Sequence, residues 1–275
     1  MGILNVTNDS FHAGSRTPDH STALERADSM IAAGADILDI GGESTRPGAE
    51  PVPNDVEISR VVPVIEALAG RIPLSIDTRH APVARAAVRA GATIINDVSA
   101  SLDEVAAETG AGWVAMHMRG TPQSMQANPR YDDVVAEVLD YVLDAAERGR
   151  AKGIEDIMVD PGIGFGKTAA HNLELMAQLH QFSSSGFPLL VGVSRKRFVG
   201  MAHAEADLIT AQSRPANIVT GPTTDITVGD AVGTNERLEG SLALASWGIL
   251  KNAAILRVHD VAETLRCCET LSVIS

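Results

Sequence analysis

Short runs of aliphatic residues alternate along the chain with longer stretches in which apolar positions recur about every 3.6 residues. The short runs predict eight buried strands, at Gly2–Asn5, Ile37–Ile40, Leu74–Asp77, Ile94–Asp97, Gly112–Met116, Ile157–Asp160, Leu189–Gly192 and Ala254–Val258. The longer stretches predict amphipathic helices, at Thr22–Ala33, Asp55–Leu68, Pro82–Ala90, Leu102–Thr109, Asp132–Lys152, Asn172–His180, Glu236–Lys251 and Val261–Leu271. Three of these helices are followed by a glycine just before the next strand, where a left-handed residue commonly ends a helix.

This strict alternation predicts an α/β fold, a closed parallel (β/α)8 barrel that forms a single domain over residues 1–275. The alternative is a doubly wound open sheet, but no G-x-G-x-x-G motif follows any predicted strand. The segment "PGIGFGKT" resembles a phosphate-binding loop, yet Pro161 stands where that motif needs its first glycine. Residues 204–233 show little periodicity, and we expect a flexible surface insertion there or, less favoured, a lid.

Composition and charge exclude several classes of binding partner and of cellular location. The chain carries 35 acidic and 22 basic residues, a formal net charge of −13, which argues against a nucleic acid or an anionic membrane as partner. We find no signal-peptide pattern and no apolar run long enough to span a membrane. The only cysteines, Cys267 and Cys268, are adjacent and form no disulfide framework. We therefore expect a cytoplasmic protein, in which the two sequons within "NVTNDS" carry no sugar.

Polar side chains follow the ends of the predicted strands, which in a parallel barrel meet on one rim. Asp39 and Asp97 are of the kind that often cap the next helix or set a turn. Asp77, Asn96 and Asp160 come from the third, fourth and sixth strands and would converge near the barrel axis. Because buried carboxylates need donors, these residues suit a planar ring with a 2-amino group and an adjacent N–H.

A second group of rim residues is cationic or suited to anions. Lys196 follows the seventh strand and would complement a ring carbonyl or nitrogen; its alternative role is a buried ion pair with the carboxylates of the first group. Arg257 and His259 follow the eighth strand, with Asn5 across the seam between the eighth and first strands. The loops after the last two barrel strands commonly hold phosphate, so we expect a ligand with a flat heterocycle and a phosphate. The histidines show no metal-ligand spacing along the chain, and no zinc site is predicted from it.

Several motifs of the chain are individually distinctive. In order, they are "MGILNVTNDSF", "DIGGESTRPGA", "SIDT", "INDVS", "VAMHMRGTPQSMQ", "VDPGIGFGKT", "GVSRKRF" and "RLEGSLA…ILRVHDV". In sequence, order and spacing they resemble those of the dihydropteroate synthases, over essentially the whole chain. The resemblance implies a (β/α)8 barrel enzyme of folate biosynthesis that condenses 6-hydroxymethyl-7,8-dihydropterin diphosphate with p-aminobenzoate, releases diphosphate and requires Mg²⁺. It also implies a homodimer, and inhibition by sulfonamides, which mimic p-aminobenzoate.

The resemblance also implies which residues bind each part of the substrates. The pterin ring would be bound by Asp77, Asn96, Asp160 and Lys196. The diphosphate would be bound by Asn5, Arg257 and His259, with Asn5 close to Mg²⁺. The p-aminobenzoate would be covered by Thr45, Arg46 and Pro47, with Phe165 beneath it. Its carboxylate would meet the N-terminus of the helix after Lys196, beside Arg197. The expected catalytic residues, in a dissociative SN1-like substitution, are Asn5, Lys196, Arg257 and His259.

The first loop of the chain departs from the family pattern. Ala13 stands where the family usually has an aspartate, and Asn8 stands where proline is usual, which loosens the loop. One alternative is therefore a pterin-binding paralogue with little or no synthase activity. Another is a methyltetrahydrofolate–corrinoid methyltransferase, which shares the barrel and the pterin-binding acids but has no use for "STRPG", "SRKRF" and "RVHD".

Overall fold

The structure, a computed structural model, describes residues 1–6, 20–44, 49–202, 233 and 237–274. Its strands are β1 (Gly2–Asn5), β2 (Leu38–Gly41), β3 (Leu74–Asp77), β4 (Ile94–Asp97), β5 (Gly112–Met116), β6 (Ile157–Asp160), β7 (Leu190–Val191) and β8 (Ile255–Leu256). Its helices are α1 (His20–Ala32), α2 (Asn54–Leu68), α3 (Ala81–Ala90), α4 (Asp103–Thr109), α5 (Val134–Ala151), α6 (Ala169–Ala177), α7 (Leu179–Ser183), α8 (described over 197–202), α9 (Leu238–Leu250) and α10 (Val261–Ile274).

The strands close into a ring. β1 to β6 form one parallel sheet in chain order, and β7 pairs in parallel with β8. The N–H of Val159 on β6 donates to the carbonyl of Pro188 at 3.0 Å, which joins the first sheet to the segment leading into β7. On the other side, the N–H of Ile3 donates to the carbonyl of Val258 at 2.9 Å and joins β8 to β1. The predicted (β/α)8 barrel is confirmed.

Most of the predicted elements are confirmed, some with shifted ends. β2 lies one residue further along than predicted, and β7 and β8 are shorter. The single helix predicted over Asn172–His180 is wrong, because the backbone leaves helical geometry at Gln178 (φ −103°, ψ 15°) and divides the segment into α6 and α7. The first of these helices begins earlier than predicted because the Thr168 side chain caps it, accepting the N–H of His171.

The core of the barrel and the layer beneath the helices is built mainly from aliphatic side chains, as the low aromatic content requires. Trp113 of β5 is an exception, and it fits because α5 presents Gly149 to it: a Cβ there would lie 3.0 Å from two carbons of the indole ring. The glycines predicted to end α1, α3 and α5 all have positive φ, as in Gly91 after α3 (+121°). None of the described helices is long and apolar enough to cross a membrane.

Candidate active site

A charged cluster occupies the rim formed by the carboxyl ends of the strands. The Arg257 guanidinium, just after β8, donates through Nε to Asp39 Oδ2 and through a terminal nitrogen to Asp77 Oδ2, each at 2.6 Å. Asn96 at the end of β4 also donates to Asp39 Oδ2, at 3.0 Å. The structure thus brings together two of the residues predicted to converge, Asp77 and Asn96, and joins them through Asp39 to Arg257 of the second group.

The interpretation of Asp39 as a cap or turn residue is therefore wrong. Asp39 is fully buried within β2, and its side chain reaches across to Asn96 of β4 and to Arg257 just after β8. A signal was present in the sequence, because an aspartate inside an apolar strand, rather than after it, needs a buried counterion or donor. The parallel interpretation of Asp97 is confirmed, since its carboxylate accepts the N–H groups of Ser101 and Leu102 at 2.7 Å and sets the turn into α4.

Burial dominates the electrostatics of this cluster. It raises the pKa of Asp77 to about 7, although Arg257 acts in the opposite direction. It also raises the pKa of Asp160, against the opposing effect of Lys196 and of the Gly162 N–H, which donates to that carboxylate at 2.7 Å. Burial would lower the pKa of Arg257, but Asp39 and Asp77 outweigh it and raise that pKa further. The rim therefore keeps a permanent cation beside carboxylates that hold protons more tightly than usual.

Lys196 lies on the β6 side of the rim. Its ammonium donates to the carbonyl of Ile163 and sits 4.7 Å from the centre of the Phe165 ring. Burial lowers its pKa to about 8, although Asp160 raises it. The alternative of a structural ion pair with Asp77 is not what the structure has, because among the described residues Asp77 forms its ion pair with Arg257.

The loops after β7 and β8 are tied together beside this cluster. The backbone N–H of His259 donates to Ser194 Oγ at 3.2 Å, and the imidazole Nδ1 lies 3.0 Å from the same hydroxyl. Arg195, next to Lys196, forms a two-point ion pair with Asp260. Together these contacts fix Lys196 and His259 relative to each other, at the end of the barrel where such folds hold phosphate.

Asn5 completes this side of the rim at the end of β1. A Cβ placed on Gly41 would lie 3.8 Å from both the side-chain oxygen of Asn5 and Oδ2 of Asp77. Because Gly41 has no side chain, Asn5 and Asp77 both border the space that a Cβ there would fill. The predicted position of Asn5, across the seam from the eighth strand, is confirmed.

Lys167 is a feature of this site that the sequence analysis missed. It is almost fully buried in the loop after β6 and donates to the carbonyls of Gly162 and Phe165 at 2.9 and 3.0 Å. Its ammonium also lies 2.8 Å from Nδ1 of His117, whose pKa falls to about 3 through burial and the nearby Lys167 charge. Neutral His117 is thus an acceptor for Lys167. Because the segment "PGIGFGKT" was compared only with a phosphate-binding loop, this structural role of Lys167 was not predicted.

Several predicted site residues lie outside the described residues: Thr45, Arg46, Pro47, Ala13 and nearly all of the predicted insertion at 204–233. Arg197 is described and exposed, and it is the first residue of α8, so the predicted helix start after Lys196 is confirmed. Phe165 is partly buried beside Lys196.

Comparisons with known proteins agree with this geometry. A family model described as "Pterin binding enzyme" matches residues 1–259. The dihydropteroate synthase of Escherichia coli (strain K12) is 43% identical over 273 residues, which cover 96% of this chain and 87% of that protein. A solved dihydropteroate synthase of Yersinia pestis, in complex with a sulfonamide drug, has a TM-score of 0.83 at 40% identity and covers 100% of this chain and 93% of its own. The Xanthomonas albilineans dihydropteroate synthase with 4-aminobenzoic acid has a TM-score of 0.82 at 38% identity, covering 100% of this chain and 92% of its own. The chain therefore belongs to the pterin-binding enzymes and, among them, to the dihydropteroate synthases.

Proposed function

We propose that this protein condenses 6-hydroxymethyl-7,8-dihydropterin diphosphate with p-aminobenzoate, giving 7,8-dihydropteroate and diphosphate for folate biosynthesis. The observation that carries the proposal is the position of Arg257, a permanent cation held at 2.6 Å by Asp39 and Asp77 beside Asn96. An arginine in this position would bind an anion directly next to acceptors suited to a pterin ring. A methyl transfer from a folate would need the acceptors but not the cation.

The pterin ring would be bound by Asp77, Asn96, Asp160 and Lys196. Its 2-amino group and ring N–H are donors, and the buried carboxylates of Asp77 and Asp160 are strong acceptors in a site that excludes water. Lys196 would donate to a ring oxygen or nitrogen. Its ammonium already donates to a carbonyl in this region, which supports a donor role for it.

The diphosphate would be bound by Arg257, His259 and Asn5. A guanidinium can donate two parallel hydrogen bonds to phosphate oxygens and remains charged at any pH the protein meets. The residues also fit Mg²⁺, because Asn5 offers an amide oxygen near the carboxylate of Asp77, across the space beside Gly41, and Mg²⁺ typically takes few protein ligands together with substrate phosphates. When bound there, Mg²⁺ would neutralise part of the diphosphate charge.

The reaction is a dissociative, SN1-like substitution. The C–O bond breaks with its electron pair on the departing diphosphate, whose growing charge Arg257 and His259 stabilise. The methylene cation is conjugated with the dihydropterin ring, and the amine of p-aminobenzoate then attacks it to form the C–N bond. The resulting ammonium loses its proton to solvent. Positioning and anion stabilisation therefore matter more than a general base.

The p-aminobenzoate would lie over Phe165, beneath Thr45, Arg46 and Pro47. Its carboxylate would meet the N-terminus of the helix that begins at residue 197, where Arg197 adds a positive charge. The same surface would accept a sulfonamide, since the Yersinia pestis relative was solved with such a drug. We also propose a homodimer through the late helices, supported by the exposed Trp247 of α9. Free thiols at Cys267 and Cys268 support a cytoplasmic location.

The test is an assay of diphosphate release with both substrates, and with each one omitted. The wild-type protein should form dihydropteroate and release diphosphate at its full rate when both substrates are present, and Arg257→Ala should lower kcat by about 100-fold or more, as expected for a lost charge-stabilising donor. Arg71→Ala, which removes an exposed arginine, is the matched control. An unchanged rate in folded Arg257→Ala would contradict the role of Arg257.

The same assay separates the synthase from an inactive paralogue. If the wild-type protein binds the pterin substrate but releases no diphosphate, the paralogue interpretation holds. Ala13→Asp then tests whether the first loop is the cause, because restoring the acid should restore turnover. No gain from Ala13→Asp would show that the missing acid does not explain the inactivity.

A further inference from the structure

Three potential metal ligands meet at the start of the loop that follows β2. Glu43 lies just after β2, Glu57 lies in the first turn of α2, and His80 precedes α3. One ligand atom from each lies within 4.8 Å of the others. His80 Nε2 is 3.3 Å from Glu43 Oε2 and 3.9 Å from Glu57 Oε2. These residues play no part in the reaction described above.

Glu57 is the unusual member of this cluster. Its side chain is fully buried, and neither carboxylate oxygen has a hydrogen-bond partner among the described residues. The Thr78 hydroxyl is near enough to favour the charged form of Glu57, but it makes no hydrogen bond of normal geometry to it. A buried carboxylate with two unsatisfied oxygens is costly and rare. Its Oε2 lies 3.9 Å from Nε2 of His80, a separation that a shared cation could bridge.

We propose that Glu43, Glu57 and His80 bind a divalent transition-metal ion, for which Zn²⁺ is the best match. In tetrahedral zinc sites the ligand atoms lie about 2.0–2.2 Å from the metal, so neighbouring ligands are about 3.3–3.6 Å apart. The distance from His80 to Glu43 already has this value, and the distance from His80 to Glu57 is about half an ångström longer. One imidazole and two carboxylates would leave the fourth position to water.

The surroundings of Glu43 are those of an oriented metal ligand. The Val52 N–H donates to its Oε2 at 2.9 Å, and Nε of Arg79 donates to its Oε1 at 3.0 Å. Such contacts fix the direction of a ligating carboxylate. His80 is about one-quarter exposed, so solvent reaches one of the ligands, and Glu43 borders a cavity of about 70 Å³ together with Arg79.

This site differs chemically from the Mg²⁺ site proposed at Asn5. Mg²⁺ binds oxygen ligands and seldom an imidazole, whereas Zn²⁺ accepts both. The Val52 N–H donates to Glu43, so an ion on Glu43 would tie Val52 and the end of β2 to α2 and α3. Zinc binding would therefore stabilise the protein whether or not it catalyses the proposed reaction.

The experiment uses the purified full chain carrying Cys267→Ser and Cys268→Ser, stripped with a chelator and kept in excess Mg²⁺. Calorimetric titration with ZnCl₂ should give one tight site per chain and a higher melting temperature. His80→Asn should weaken binding by about 100-fold or more, the upper range for losing even an indirect metal contact. His180→Asn, which replaces an exposed histidine, should bind like the parent protein. Co²⁺ in place of Zn²⁺ should give the intense visible absorption of a tetrahedral site.

Two results would overturn the proposal: no zinc site in the parent protein, or a site that His80→Asn leaves unchanged. Glu57→Gln provides a second variant of equal size and should also abolish tight binding. If Glu57→Gln fails to fold, His80→Asn and the Co²⁺ spectrum still decide, because His80 is partly exposed and its replacement leaves the core intact. None of these readouts depends on enzyme activity, so they remain informative if the proposed function fails.

Discussion

Replacing Lys167 with methionine tests how the loop after β6 is held in place. Methionine has a similar length but no charge and no donor. Its three shortest contacts are with two carbonyls and His117 Nδ1, and these acceptors would be left in a buried site. Each buried polar group without its partner costs about 1–3 kcal/mol, so the loss would be about 3–9 kcal/mol if nothing relaxed.

Two effects reduce this loss. The ammonium has no carboxylate partner within ion-pair distance among the described residues, and burial lowers its pKa well below the usual range. Removing it therefore recovers several kcal/mol of desolvation cost. The freed carbonyls can also reach water if the loop opens. We expect a net loss of about 2–4 kcal/mol in the free energy of unfolding.

The functional effect should fall on p-aminobenzoate. The carbonyl of Phe165 is one of the acceptors, so loss of Lys167 releases the residue on which p-aminobenzoate is proposed to lie. We expect KM for p-aminobenzoate to rise by about 10-fold or more, with a smaller change in kcat, as for a lost positioning contact. Urea denaturation and steady-state diphosphate release measure the two effects. Lys152→Met, just after α5, is the control: it removes half-exposed ion pairs with Asp103 and Glu104, so it should lower the free energy of unfolding much less than Lys167→Met and leave KM unchanged. If Lys167→Met unfolds like the wild type and keeps its KM, Lys167 does not hold the loop.

Two further predictions concern the same rim. Because burial lowers the pKa of Lys196 to about 8, Lys196 loses its positive charge as the pH rises through that value. The value of kcat/KM for the pterin substrate should therefore fall between pH 7 and pH 9. The Lys196→Arg variant should not show this fall, whatever its absolute rate, because arginine stays charged. A Cβ on Gly162 would lie 1.8 Å from the carbonyl oxygen of His117, whereas one on Gly153 would meet nothing within 4 Å. Both glycines have positive φ, so Gly153→Ala should cost about 1–2 kcal/mol and Gly162→Ala about 3–5 kcal/mol by thermal denaturation. Equal losses in the two variants would contradict the steric argument.

The barrel could be predicted because its signals are local. Each strand is a short apolar run, each helix has its own periodicity, and glycines mark the helix ends. The break between α6 and α7 was not predicted because no proline or glycine marks it. The segment keeps its apolar spacing on both sides of Gln178. The early start of α6 left a visible sign, the threonine at position 168 three residues before His171, which forms the capping box.

The candidate site could be predicted only in part from the sequence, and the reason is different. Residues after strands were easy to identify, because the carboxyl ends of parallel strands share one rim. Asp39 and Lys167 were not identified, since each acts through contacts with other elements that no spacing along the chain reveals. The same holds for the cluster of Glu43, Glu57 and His80, whose members come from three different elements. The spacing of residues along the sequence reveals metal ligands only when they belong to one helix, strand or loop, and Glu43, Glu57 and His80 do not.

Arg257 illustrates how the two kinds of information combine. Its place after the last strand is enough to predict an anion-binding group, but not how well that group is positioned. In the structure it is held by Asp77 and Asp39, which lie 180 and 218 positions away along the chain. An arginine already fixed at two points loses little side-chain freedom when it meets a phosphate, so less of the binding energy is spent on ordering it. Asp39 and Asp77 also partly neutralise the charge of Arg257. Arg257 would therefore bind the diphosphate strongly only when more negative charge develops on that group as the C–O bond breaks. Asp39→Asn should therefore weaken transition-state stabilisation more than substrate binding, and a variant that changes KM alone would show that Asp39 serves only to keep Arg257 folded into the rim.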